Sequence, residues 1–282
     1  MRLLSFNVSW ESMLARNSML DPDRSEKCSV GGVNICKQNI ISVFTSNPSD
    51  FFCIQEASGF DAINFPSMKK INHRSEFEDS FIYYNEKYTI GEIYKGDFER
   101  GRPYIIAEFI KDSIKTVVIN VHLSETASRG LLEAVGKTEL EYKSEEIQKL
   151  ENRLQPSLKA TLKNLSTRVI IAGDFNCNFI DAFKIKIFDR QFSMESRPIN
   201  TCCDFKITGN AKYYNQRYDH ILITDNLNLT SYNTALLPTP LFSDHLPMIY
   251  EINDKIQLVA EKKYLKYKTK YLVLKNQIRY YI

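Results

Sequence analysis

IIAGDFNCN, residues 170–178, carries an apolar run into a glycine, a carboxylate and a carboxamide. The run Val169–Ala172 is too short for a helix and is closed by turn-forming residues, so it reads as a buried strand. In an extended chain, side chains at i and i+2 point the same way. Asp174 and Asn176 would then look into one pocket at the mouth of a sheet, and Phe175 would point away into the core. Gly, Asp and Asn are also ordinary turn residues, so the same letters describe a strand running into an Asx turn. The stretch alone does not separate the two readings.

Working outward, β-type runs recur at Leu3–Val8, Phe51–Gln55, Phe81–Tyr84, Tyr104–Ile110, Thr116–Val121, Tyr218–Ile223 and Pro247–Ile252. FFCI, VVI and VIIA are apolar at successive positions, as expected of strands covered on both faces. Between them lie helical stretches. Val33–Thr45 has Ile40, Ile41 and Phe44 on one side and ends at Asn47-Pro48. Leu131–Leu165 is rich in Glu, Lys and Leu, and Pro156 should split it. Strands alternating with helices predict a layered α/β protein. With no repeat and no low-complexity linker, residues 1–254 read as one domain and 255–282 as a tail.

The chain has 282 residues, 43% of them hydrophobic, enough to bury a substantial core. No run is long and apolar enough to span a bilayer, and MRLLSFNV is no signal peptide. Cys28, Cys36, Cys53, Cys177, Cys202 and Cys203 form no CxxC pair, and bridging of the neighbours Cys202 and Cys203 is not expected. These features predict a reduced, intracellular, non-secreted protein. The tail holds eight Lys/Arg against one Glu, whereas the other 254 residues hold 29 basic against 33 acidic. The body therefore lacks the basic footprint of a non-specific DNA binder. In the tail, Ala260, Tyr264, Tyr267, Tyr271, Leu274 and Ile278 follow a 4-3-4-3-4 spacing, the seam of an amphipathic helix. That helix either packs on its own domain or binds a partner, and its basic face also suits nucleic acid.

Polar residues recur where these strands end. Asn7 follows LLSF, Glu56 follows FFCIQ, His122 follows VVINV, Asp219 lies in RYDHILI, and Asp244-His245 precede the last strand. Each has a bland explanation: a turn former, an exposed charge, a core histidine, a partner for Arg217, a turn cap before Pro247. Repetition at this many strand ends favours a ligand crevice instead.

FNV, IQE, NVHL, GDFN, RYDHI and SDHLP, with GRPYIIAEF at 101–109, occur in an order that resembles the endonuclease/exonuclease/phosphatase superfamily, the fold of deoxyribonuclease I and exonuclease III. The resemblance spans residues 6–247. It implies a four-layer α-β-β-α sandwich with two mostly antiparallel sheets, here followed by the basic C-terminal helix. It implies a phosphodiesterase or nuclease using Mg²⁺, with Mn²⁺ as the alternative. Glu56 would bind the metal, with Asn7 close to metal and phosphate and Asp244 adding a contact. Asp174 would orient or deprotonate the attacking water, and Asn176 would hold a phosphate oxygen. His245 would contact the scissile phosphate with Asp219 fixing its tautomer. His122 would donate to the phosphate, and Arg102 would lie near the substrate. The absence of a His/Cys cluster argues against a zinc site of the usual kind.

Histidine at 122, in NVHL, resembles the deoxyribonuclease I-like branch rather than the exonuclease III-type apurinic endonucleases, which place Tyr there. Ser9 stands where exonuclease III-like enzymes often have Asp. NVHLSET resembles the tyrosyl-DNA phosphodiesterase branch, although GDFN differs from that branch's GDTN. Nucleic acid is the expected substrate. An inositol phosphate, a lipid at a membrane or a 5′-tyrosyl-DNA adduct is the alternative, and a catalytically dead binding module is the third reading. Ser9–Asn34, with the sole Trp at 10, reads as an insertion that either shapes substrate choice or is a surface loop. KYLKYKTKYLVLK resembles tail segments of proteins of large DNA viruses, which implies host cytoplasm or a virion. The sequon Asn7-Val8-Ser9 lies inside the expected site, a further pointer to a non-secreted protein.

Overall fold

A computed structural model describes residues 1–17, 21–98, 101–124, 136–178, 183–194, 199–203, 214–235, 243–255, 267 and 271. Two sheets form its centre. The first has the order Leu227–Thr234 (β14), Met248–Asp254 (β15), Arg2–Asn7 (β1), Phe51–Gln55 (β4), Asp79–Asn85 (β6) and Met68–Arg74 (β5). The second has the order Phe183–Ile187 (β11), Arg190–Met194 (β12), Asp219–Thr224 (β13), Arg168–Asp174 (β10), Ile114–His122 (β9), Pro103–Lys111 (β8) and Thr89–Asp97 (β7). A small hairpin, Ser29–Val30 (β2) and Val33–Asn34 (β3), stands apart. Pairing is antiparallel except for β1–β4 and β9–β10.

Successive residues along the inner strands enter different cores. Leu3, Cys53, Val118, Ile170, Ala172 and Ile221 meet between the sheets. Leu4, Phe6, Phe52 and Ile54 pack outward against Ile40, Val43 and Phe44 of the helix Ile35–Ser46. Ile119, Val121, Val169 and Ile171 pack outward against Ile147, Leu150, Leu158 and Leu162 of the helices Glu139–Arg153 and Pro156–Lys163. The result is the expected helix–sheet–sheet–helix sandwich, and it explains why these strands carry apolar residues at successive positions.

Helix limits follow local chemistry. The helix expected from Val33 begins at Ile35, because the Asn34 side chain accepts from Lys37 N–H at 2.9 Å and caps it, leaving Val33–Asn34 to the hairpin. Thr138 and Glu141 form a reciprocal capping box at the start of the next helix. Pro156 opens a new helix, so the expected break is present. Within Ser9–Asn34 the described residues form two short helices and the hairpin, and Asn34 Nδ2 ties it down by donating to Ser12 O and Met13 O. Tyr267 and Tyr271 are helical and exposed, at 69% and 65%; the other seam positions lie outside the described residues. No helix among the described residues is long and apolar enough to cross a membrane.

Two cysteine expectations are corrected. Cys28 is bonded to Cys36, closing the insertion onto the helix that follows it. Cys202 is bonded to its neighbour Cys203 across a cis peptide, with Cα atoms 3.2 Å apart. The spacing argument failed because one pair closes by tertiary approach and the other by a local backbone conformation that sequence spacing does not encode. The reduced-compartment expectation, which rested on the absence of pairs, loses that support.

Gly173 has a specific reason to be glycine. Its φ is 146°, and a Cβ there would stand 1.9 Å from the carbonyl oxygen of Val121 on β9. Only a residue without a side chain lets β10 approach β9 this closely just before Asp174. Gly173→Ala should destabilise the fold by on the order of 3 kcal/mol or more. Urea unfolding measures this, and a loss under 1 kcal/mol would contradict the close approach.

Candidate active site

The two parallel pairs set the site. β1 and β4 end together, with Asn7 opposite Gln55 and Glu56 next in the chain. β9 and β10 also end together, with His122 opposite Asp174, and Asp174 is opposite Asp219 at the start of β13. Residues opposite one another across strands point to the same face. His122, Asp174 and Asp219 therefore form one row facing the other sheet. Behind them Gln55 Nε2 donates to Asn120, whose own amide donates to Ile54 O, Phe81 O and Ser80 Oγ, and so ties the two sheets together.

Asp174 is the centre. Its Oδ2 accepts from Asn7 Nδ2 at 3.0 Å and lies 3.5 Å from the Nε2 atoms of both His122 and His245. Its Oδ1 accepts from the backbone N–H of Asn176 at 2.7 Å. Each imidazole is backed by a carboxylate through Nδ1, at 2.9 Å: Glu78 behind His122 and Asp219 behind His245. Arg102 Nη1 reaches Glu78 at 3.3 Å and lies 3.8 Å from Glu56. Glu56, Arg102, His122, Asp174 and His245 line a cleft of ≈ 500 Å³ with Asn176, Tyr218, Asp244, Cys202 and Cys203. That is within the size range of ligand sites.

Asp174, Asn176, Asn7, Glu56, Arg102, His122, Asp219, Asp244 and His245 thus all converge, although the backbone at 174–176 is not the extended strand expected. Asp174 and Asn176 are not neighbours on an extended strand. β10 stops at Asp174, Asn176 has φ 47°, and the Asp174 side chain closes an Asx turn. Asn176 Nδ2 donates to Leu123 O at 3.0 Å, which makes it a brace for the segment after His122. Asn7 turns its NH₂ toward Glu56 and Asp174 and its oxygen to Ser9 N–H, so its amide links the two carboxylates. Asp219 pairs with His245 and not with Arg217. Phe175 is buried, as expected.

Glu78 was missed. It sits in the short turn SEFED, with no apolar strand leading into it to mark it as a strand-end residue. Its buried carboxylate holds His122 and Arg102, which only the tertiary arrangement shows. Asn120 did carry a signal, as a polar residue inside the apolar run VVINV.

Charge is concentrated here. Burial pushes the Glu56 carboxyl up to about 7; Glu78 and Asp244 add to this, while His122 and Arg102 oppose it. Burial also acts to raise Asp174, but His245, His122 and the donors from Asn176 and Asn7 outweigh it and hold Asp174 below the usual carboxylate range. Asp219 is raised by burial despite His245. Burial lowers both imidazoles, yet Asp219 and Asp174 lift His245 well above its ordinary value, and Glu78 leads the groups that lift His122.

A divalent cation fits this donor set. Ligand atoms of Glu56, Glu78 and His122 lie within 4.8 Å of one another, as do those of Cys202, Asp244 and His245.

No family model matches the chain, and no curated protein does. Solved structures do. An endonuclease/exonuclease/phosphatase from Bacteroides vulgatus aligns at TM-score 0.56 and 13% identity, over 90% of this chain and 98% of that one. The chain has the endonuclease/exonuclease/phosphatase fold. A mannosyl-6-phosphatase from Bacteroides thetaiotaomicron matches this fold at TM-score 0.59 and 16% identity, over 90% and 99% of the two chains. D. rerio TDP2 complexed with single-strand DNA product matches at 0.52 and 14%, over 90% and 98%.

The raised Glu56 carboxyl gives a pH-dependent prediction. Below its unfolded value of 4.5 the group is protonated in both states and contributes nothing. Above about 7 it is ionised in both states, and the folded state carries the full penalty of the buried charge. In EDTA, Glu56→Gln should therefore stabilise the protein at pH 8 by at most about 3 kcal/mol and leave it unchanged at pH 4. Thermal melts at the two pH values test this, and equal shifts would show that Glu56 titrates normally.

Proposed function

We propose that the protein is a divalent-metal-dependent hydrolase of phosphate esters, acting as a phosphodiesterase on nucleic acid. One observation carries the reading: a buried carboxylate, Asp174, is flanked by two imidazoles that are each held by a second carboxylate. That set provides an anionic proton acceptor between cationic donors, the combination that phosphate-ester hydrolysis needs.

His245 and His122, with Nδ1 held, turn Nε2 toward the cleft and present N–H donors to phosphate oxygens. Arg102 adds a third cation beside them. Asp174, kept ionised by its surroundings, accepts the proton of the attacking water. Asn7 positions the carboxylates of Asp174 and Glu56, and Asp219 fixes the tautomer of His245. Glu56 and Glu78 would hold Mg²⁺, or Mn²⁺ in its place, with Asp244 on the opposite wall; carboxylate oxygens suit these hard ions. When bound, the cation supplies charge neutralisation at the phosphate and a more acidic water. The single-strand DNA product of the TDP2 structure supports a nucleic-acid substrate. The mannosyl-6-phosphatase neighbour supports a phosphomonoesterase as the second reading.

Purified protein should cleave at least one of single-stranded DNA, RNA, a 5′-tyrosyl oligonucleotide or an inositol phosphate in Mg²⁺, and none in EDTA. Asp174→Asn and His245→Ala should each lower kcat/KM by roughly 10²- to 10⁴-fold. Full activity in either variant, or no turnover on the whole panel, would remove this reading.

A further inference from the structure

Cys202 is fixed in the cleft from both flanks. Its N–H donates to Gln216 O at 2.9 Å, its carbonyl accepts from Asn215 N–H at 2.8 Å, and it forms a β-bridge with His245. Its Sγ lies 3.4 Å from His245 Nε2. On the far side of the ring Asp219 holds Nδ1 at 2.9 Å. A carboxylate behind one ring nitrogen is the arrangement that fixes a metal-binding imidazole and directs its other nitrogen to the ion. A carboxylate oxygen of Asp244 lies within 4.8 Å of both Sγ and Nε2. Two ligands of one tetrahedral zinc, a sulfur at about 2.3 Å and a nitrogen at about 2.0–2.1 Å, stand about 3.5 Å apart. The observed separation of Sγ and Nε2 matches that without moving either side chain.

We propose that reduced Cys202, with Asp244 and His245, forms a second metal site for a thiophilic divalent ion such as Zn²⁺, and that the bond to Cys203 closes it. The site differs in chemistry from the Glu56–Glu78 wall, because a thiolate selects soft or borderline ions and Mg²⁺ takes oxygen. Opening it needs a dithiol reductant. Cys202 and Cys203 become thiols while the dithiol closes to a cyclic disulfide, so two electrons and two protons pass to the protein. Metal binding then releases the Cys202 thiol proton and the Nε2 proton of His245, whose Nδ1–H stays on Asp219. The backbone bonds on both flanks do not involve the sulfur, so they keep the Cys202 main chain beside His245 after reduction, with Sγ one side-chain rotation from the ring at most. The consequence for turnover rests on the proposed hydrolase function: an ion held by His245 and Asp244 removes both from the cleft chemistry, so zinc inhibits the reduced protein.

The test uses Co²⁺, whose thiolate complexes show a charge-transfer absorption that oxygen and nitrogen ligands alone do not give. Full-length protein is reduced with dithiothreitol, desalted without air and titrated. Reduced wild type should develop the band and saturate at one ion per chain, and Zn²⁺ should bleach it. The oxidised protein and Cys202→Ser should show none. Cys203→Ser, which cannot close the bridge, should show the band without any reductant. His245→Ala should weaken Co²⁺ binding at least about tenfold. Absence of the band from both reduced wild type and Cys203→Ser overturns the proposal, as does an undiminished band in Cys202→Ser. These absorbances need no turnover, so they are decided separately from the substrate panel. If Cys202→Ser does not fold, the reductant-independent band of Cys203→Ser still decides.

Discussion

A carboxylate removed from water persists as an anion only where its surroundings replace the solvation it has lost. Asp174 is 1% exposed and ionised, and the molecule is organised around that fact. Its partners come from the ends of β1, β9 and β10 and from the segment before β15. They can meet only because two parallel pairs, one in each sheet, finish at the same edge of the sandwich. Gly173 lets the backbone come close enough, and the Asn120–Gln55 network fixes one sheet against the other just behind the site.

The electrostatics follow from the same constraint. Each imidazole is drawn toward its cationic form by a carboxylate on its outer nitrogen and by Asp174 on its inner one. Burial raises Glu56, and Glu78 and Asp244 add to this against the pull of His122 and Arg102. His245, which the proposed chemistry turns toward the phosphate, also faces the Cys202 sulfur.

Sheet position explains which elements the sequence revealed. All eight strands read from apolar runs are inner strands: β15, β1, β4 and β6 in one sheet, and β13, β10, β9 and β8 in the other. Those not read, β5, β14, β7, β11 and β12, are the sheet edges and one neighbour of an edge. In MKKINHR and TIGEIYKGD a solvated face and unpaired backbone replace the apolar signal with Lys, Arg and Glu.

By itself, the sequence determined the layered architecture, the inner strands, the helix break at Pro156 and nine polar residues that meet in one cleft. It could do so because burial on both faces and strand-end placement leave local patterns. Tertiary structure alone decided how those residues are used. The Asx turn at Asn176, the orientation of Asn7, the role of Glu78 and both cysteine pairs depend on groups distant in the chain or on a local backbone conformation. Hydrogen-bond partners are chosen in space, and residue spacing carries no record of them.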